Sequence, residues 1–126
     1  MKHRILVIED NEQNRYLVTF LLEASGYEVL TAVDGPQGIA LASLELPDLI
    51  LLDIQLPGMD GHAVARLLRS EPATRETPIV ALTSHARAGD REKAIAAGCD
   101  AYFEKPIDPE TFVSDIARSL PREAAP

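Results

Sequence analysis

At 126 residues, with 46% apolar and 25% charged side chains, the chain has the size and composition of one domain with a sizeable core. Its formal net charge of −8 excludes the basic footprint that direct binding to DNA or RNA requires. The longest apolar runs, such as Ile5-Leu6-Val7-Ile8, are too short to span a bilayer, no signal-peptide core follows Lys2-His3-Arg4, and the one cysteine, Cys99, permits neither an internal disulfide nor a Cys-rich zinc site.

A cytoplasmic protein without membrane association is expected, with Cys99 as a buried small apolar residue. The chain reads as one domain over residues 1–121 and a short tail over 122–126, built from alternating strands and helices. Ile5 to Ile8 is a continuous apolar run, which predicts a strand buried on both faces. Leu17, Phe20, Leu21 and Ala24 fall at i, i+3, i+4 and i+7, predicting the inner stripe of a first helix that ends at Gly26. The second strand, Tyr27 to Thr31, is mixed in polarity and suits a sheet edge. Asp34 caps a second helix opened by Gly35 and Pro36. A third strand, Leu49 to Leu52, is again continuously apolar, and Val64, Leu67 and Leu68 supply the inner face of the third helix.

Ile79 to Leu82 makes a fourth buried strand. The helix after it, near Arg87 to Ala97, is the weakest: Gly89 stands near its start and its apolar side is mostly alanine, so it should be loosely held. Ala101 to Phe103 suits the opposite edge. The last helix has Asp108 as N-cap, Pro109 as its first residue and Phe112, Val113, Ile116 and Leu120 as its apolar side. The fold class is α/β, with a five-stranded parallel sheet. The strand order 2-1-3-4-5 is taken from the flavodoxin-like doubly wound (βα)5 pattern rather than derived.

Ligands of open parallel sheets bind beyond the carboxyl ends of the strands. There the first strand runs into Glu9 and Asp10, the third into Asp53, the fourth into Thr83 and Ser84, and the fifth is followed by Glu104, Lys105 and Pro106. Three clustered carboxylates (Glu9, Asp10, Asp53) repel one another, and a hard divalent cation relieves that repulsion best. Oxygen ligands without a Cys or His cluster point to Mg²⁺. Asp53, at the end of a rigid buried run, is the nucleophile of choice for an aspartyl-phosphate, with the metal and Lys105 neutralising charge and Thr83 bonding a phosphoryl oxygen. Each residue alone has a plainer reading: Asp10 as a helix cap, Asp53 as the cap of a turn before Pro57-Gly58, Thr83 as the cap of the fourth helix, Lys105 as a solvated lysine. The joint reading is preferred because the plain ones require coincidences at four strand ends.

Four segments together resemble the CheY-like receiver domains of two-component signalling: Ile5 to Asn11, the stretch from Pro47 and Asp48 to Asp60-Gly61, Pro78 to Thr83, and Lys105-Pro106. Asn11 to Arg15 and Gly98 to Phe103 are most similar to single-domain cell-division regulators and hybrid-kinase receivers. The resemblance implies Asp53 as phosphoacceptor, and Mg²⁺ held by Asp10, Asp53 and the main-chain carbonyl of Gln55, with Glu9 acting through a water. It further implies Thr83 and Lys105 on the phosphoryl group, a cis Lys105-Pro106 peptide, and Tyr102 as an aromatic switch paired with Thr83; an ordinary edge-strand aromatic is an equal reading of Tyr102. Gln55 and His85 stand at positions that tune phosphoryl lifetime in that family, with His85 read as a surface residue.

The function implied is a phosphoacceptor switch rather than an enzyme, its catalysis confined to its own phosphorylation and dephosphorylation. Its partners would be a histidine kinase or histidine phosphotransfer protein and a downstream protein target. It would be a monomer or a phosphorylation-dependent dimer. Two competitors fit less well. An Asp-nucleophile phosphohydrolase needs a second Asp where Gln55 stands, and a flavin carrier needs a phosphate cradle where Glu9-Asp10 would repel phosphate.

Overall fold

The computed structural model describes residues 3–84 and 87–120. Five strands and five helices alternate: β1 (Arg4–Ile8), α1 (Glu12–Ala24), β2 (Glu28–Ala32), α2 (Gly35–Glu45), β3 (Leu49–Asp53), α3 (Gly61–Ser70), β4 (Ile79–Thr83), α4 (Asp90–Ala97), β5 (Ala101–Glu104) and α5 (Phe112–Ser119). All strand pairs are parallel and the order is β2-β1-β3-β4-β5, as expected. The expected tail 122–126 and His85 lie outside the described residues.

The two-residue alternation of strand side chains divides the core into two layers. Leu6, Ile8, Ile50, Leu52, Ile79 and Ala81 pack with Ala42, Val64, Ala65, Leu68, Ala94 and Ala97 from α2, α3 and α4. Ile5, Val7, Leu49, Leu51, Val80 and Leu82 point the other way, onto Val18 and Leu22 of α1 and Phe112 and Ile116 of α5. Continuous apolar strands are thus the consequence of helices on both faces. Cys99 is buried in the first layer, and burial pushes its thiol up to about 11. No helix among the described residues is long and apolar enough to cross a membrane.

Three helix expectations need correction. In α1 the buried residues are Val18 and Leu22, with Leu21 at the layer's margin, whereas Phe20 is 58% exposed and Leu17 and Ala24 are also exposed. The run Leu17 to Leu22 is apolar over an arc wider than one stripe, so periodicity alone leaves the phase open. In α3 the inner stripe is Gly61, Val64, Ala65 and Leu68, and Leu67 is turned outward. The α5 helix begins at Phe112 rather than Pro109. Asp108 does cap, but it caps the preceding turn: its side chain accepts from Glu110 N–H and its carbonyl from Thr111 and Phe112 N–H.

α4 is as weakly held as its composition implies. Gly89, at φ 87°, is its N-cap without a side-chain bond, and only Ala94 and Ala97 are buried. Its other end is fixed. Arg69 of α3 donates Nε–H to the Gly98 carbonyl at 2.9 Å, Nη1–H to the Thr77 and Arg75 carbonyls at 2.6 and 2.9 Å, and Nη2–H to Asp100 Oδ2 at 2.7 Å. Asp100 Oδ2 also accepts Ile79 N–H at 2.8 Å, so one carboxylate joins the start of β4 to the end of α4.

Candidate functional site

The parallel sheet brings four strand ends to one edge, and the side chains there form one connected group. β1 ends at Ile8; Glu9 follows, with its N–H bonded to the Ala32 carbonyl at the end of β2, and is 2% exposed. Asp10 is exposed at the rim, and Arg15 of α1 holds the Glu9 and Asp10 carbonyls at 2.9 and 3.4 Å. Asp10 does not cap α1; Asn11 does, accepting Asn14 N–H at 2.9 Å. Asp53 is the last residue of β3 and is 4% exposed. One carboxylate oxygen from each of Glu9, Asp10 and Asp53 lies within 4.8 Å of the others.

Lys105 enters from beyond β5. Its N–H is bonded to the Thr83 carbonyl at 2.7 Å, and the Lys105-Pro106 peptide is cis. Nζ lies 2.5 Å from Glu9 Oε1 and 3.3 Å from Asp53 Oδ2, with the lysine side chain only 10% exposed. It is therefore an internal counter-charge and not a solvated surface lysine. One ammonium facing three carboxylates leaves the group short of positive charge. The Glu9 carboxyl is raised from 4.5 to about 7, first by burial and then by its hydrogen bond with Asp53, with Lys105 pulling the other way.

Behind the acids, Thr83 ends β4 and is 1% exposed; α4 is capped by Gly89 and not by Thr83. Gln55 N–H donates to Asp53 Oδ1 at 2.9 Å. The Gln55 side chain then crosses to β4: Nε2 donates to Thr83 Oγ1, and Oε1 accepts Ser84 N–H at 2.9 Å and Ser84 Oγ–H at 3.1 Å. Sequence reasoning did not foresee this crossing. Its signal was a long side chain with both donor and acceptor, two residues beyond Asp53. Tyr102 of β5 lines a cavity of about 300 Å³ together with Gln55, Thr83, His62, Arg87 and Asp90. Burial pushes the Tyr102 phenol up, aided by Asp90 and Glu104 and opposed by the Thr83 hydroxyl.

The loop between Asp53 and α3 is tightly built. Gly61 N–H bonds to the Ile54 carbonyl at 2.9 Å, and a Cβ on Gly61 would stand 2.5 Å from Ile54 Cα and 2.7 Å from the Asp53 carbonyl oxygen. Asp60 caps α3 through Ala63 N–H at 3.0 Å. The Asp60-Gly61 pair thus sets how closely α3 approaches the backbone carrying Asp53.

Comparison with known proteins gives this geometry a context. Residues 5–117 match the response regulator receiver domain. The chain is 44% identical over 122 residues to the response regulator PleD of Caulobacter vibrioides, of which it spans 27%, and 40% identical over 120 residues to the polar-differentiation response regulator DivK of Brucella anthropi, of which it spans 98%. Chemotaxis protein CheY4 of Vibrio cholerae superposes with a TM-score of 0.90 at 30% identity, covering 95% of this chain and 100% of that one. The receiver domain of a sensor histidine kinase from Pseudomonas aeruginosa, solved with a magnesium ion coordinated in its active-site cleft, superposes with a TM-score of 0.87 at 34% identity, covering 94% of this chain and 98% of that one.

Proposed function

Because the chain belongs to the response-regulator receiver family of two-component signalling, we propose that it is a phosphorylation switch that accepts a phosphoryl group on Asp53 in a Mg²⁺-dependent reaction. The observation that carries this reading is the buried Lys105 ammonium spanning Glu9 and Asp53, with Asp10 completing a set of three carboxylates. Glu9, Asp10 and Asp53 offer oxygen donors alone, which suits a small hard cation that would offset the repulsion among the three clustered carboxylates. With the Gln55 main-chain carbonyl, Asp10 and Asp53 would hold the ion directly and Glu9 would hold it through water. Mg²⁺ bound there neutralises the carboxylates and the oxygens of an incoming phosphoryl group.

The residues of the chain supply the rest. An Asp53 carboxylate oxygen attacks phosphorus, the P–N bond of a phosphohistidine donor breaks, and the imidazole leaves with the electron pair of that bond. Lys105, already 3.3 Å from Asp53 Oδ2, balances charge on the transferred group, and Thr83 bonds one of its oxygens. Tyr102, lining the cavity next to Thr83, acts as the aromatic switch. The donor is a histidine kinase or histidine phosphotransfer protein, and the output is a changed surface at α4, β5 and α5 for a protein partner, in the cytoplasm. The receiver domain covers residues 1–121. Whether the chain stays a monomer or dimerises on phosphorylation follows from the same switch.

The test is intact-mass spectrometry after exposure to acetyl phosphate with Mg²⁺. Wild type gains one phosphoryl group, with acetate released, and Asp53→Asn gains none. A variant labelled as fully as wild type would remove Asp53 from its role.

A further inference from the structure

We propose that the Gln55 side chain is a latch that holds the end of β4 in its resting position, so that phosphorylation of Asp53 has to break it; the proposal rests on the reading of Asp53 as phosphoacceptor. The geometry is specific. Gln55 is anchored to the reacting carboxylate through its N–H on Asp53 Oδ1 at 2.9 Å. Its side chain bridges to the next strand, where Ser84 N–H, which can only donate, faces Oε1 at 2.9 Å. That contact fixes which end of the amide is oxygen, so the group on Thr83 Oγ1 is the NH₂, itself only a donor. Ser84 Oγ adds a third bond, to Oε1 at 3.1 Å.

Competition follows from proton counting. A phosphoryl group on Asp53 brings anionic oxygens that seek donors, and among the described residues the end of β4 and the position after it offer the Thr83 hydroxyl and Ser84 N–H, both engaged by Gln55. Ser84 N–H has one proton, which the neutral Gln55 oxygen holds at rest; an anionic acceptor binds such a donor more strongly than a neutral one. Thr83 is 1% exposed, so its side chain reorients by exchanging one protein partner for another and not by turning into water. The element beyond Ser84 offers little resistance, since α4 starts at Gly89 without a side-chain cap bond and buries only two alanines. Gln55 is therefore a positioning residue that sets how much of the resting chain already occupies the switched conformation.

The test uses the full chain and amide resonances of Ser84, Gly89 and Tyr102. Wild type is recorded at rest and with beryllofluoride plus Mg²⁺, an inorganic phosphoryl mimic, to define a line between two end states. Gln55→Met, which keeps the length but neither donates nor accepts comparably, is recorded at rest. Losing the three side-chain bonds, part of whose net strength solvent replaces, shifts the population by roughly fivefold to thirtyfold, so the Met variant's peaks are expected along that line toward the beryllofluoride end. Gln55→Ala should move the same peaks in the same direction. Resting peaks at Gly89 and Tyr102 that coincide with wild type, or that leave the line, overturn the latch while wild type still responds to the mimic. A wild type blind to beryllofluoride and Mg²⁺ overturns the phosphoacceptor reading instead, and the latch with it.

Discussion

Lys105 Nζ stands closer to Glu9 Oε1, at 2.5 Å, than to Asp53 Oδ2, at 3.3 Å, although Asp53 is the group on which chemistry is proposed. The lysine is thereby held chiefly by an acid other than the proposed phosphoacceptor, while it still faces Asp53.

The burial of Glu9, which outweighs the pull of Lys105, has a pH consequence. In metal-free protein the Glu9 carboxyl is raised from 4.5 to about 7, so the folded chain holds that proton more tightly than the unfolded chain. Between those two values the unfolded chain has lost the proton and the folded chain retains it, so Glu9's contribution to stability declines as pH rises through the window and levels off above about 7. The decline is at most about 1.4 kcal/mol per pH unit. Urea unfolding with chelator should show this slope in wild type and lose it in Glu9→Gln; equal slopes in the two proteins would contradict the assignment. Because the proton and Mg²⁺ compete for Glu9, Mg²⁺ affinity should rise over the same range.

Arg69 ties α3 to the C-terminal end of α4 and to the segment leading into β4 through carbonyls and Asp100. Arg69→Ala is expected to cost about 2–3 kcal/mol in unfolding free energy. Arg69→Lys should recover little of it, because an ammonium cannot reproduce the guanidinium fork. Full recovery by lysine would mean that charge and not geometry is what the site needs.

The orientation of α1 makes a sharp contrast between two large apolar residues. Leu22 is 0% exposed and Phe20 58%. Leu22→Ala should therefore cost about 2–5 kcal/mol, and Phe20→Ala within about 0.5 kcal/mol. Denaturation midpoints decide the matter, and a reversed order would restore the stripe first expected from the sequence.

What was legible in the sequence had a composition of its own. The runs Leu49 to Leu52 and Ile79 to Leu82 are apolar because helices cover both faces, and each stops at a polar residue, Asp53 or Thr83, at the carboxyl end of its strand. Parallel strands put those stops at one edge, so the acids and the hydroxyl could be grouped before any coordinates. The phase of α1 was not legible, because Leu17 to Leu22 offers two overlapping apolar stripes and only the neighbours choose between them. Arg69 was invisible for a different reason: most of its partners are main-chain carbonyls, which every residue has. The Gln55 crossing depends on the spacing between β3 and β4 ends, a tertiary distance that no local pattern encodes.

The central claim is that Asp53 is the residue phosphorylated, and peptide mapping after borohydride reduction tests it most directly. Reduction converts an aspartyl-phosphate into homoserine and leaves free aspartate unchanged. With acetyl phosphate and Mg²⁺ both present, homoserine is predicted at position 53 and at no other, and without Mg²⁺ it should fall to a trace. Homoserine at Asp10, or a yield at 53 indifferent to the metal, would contradict the account.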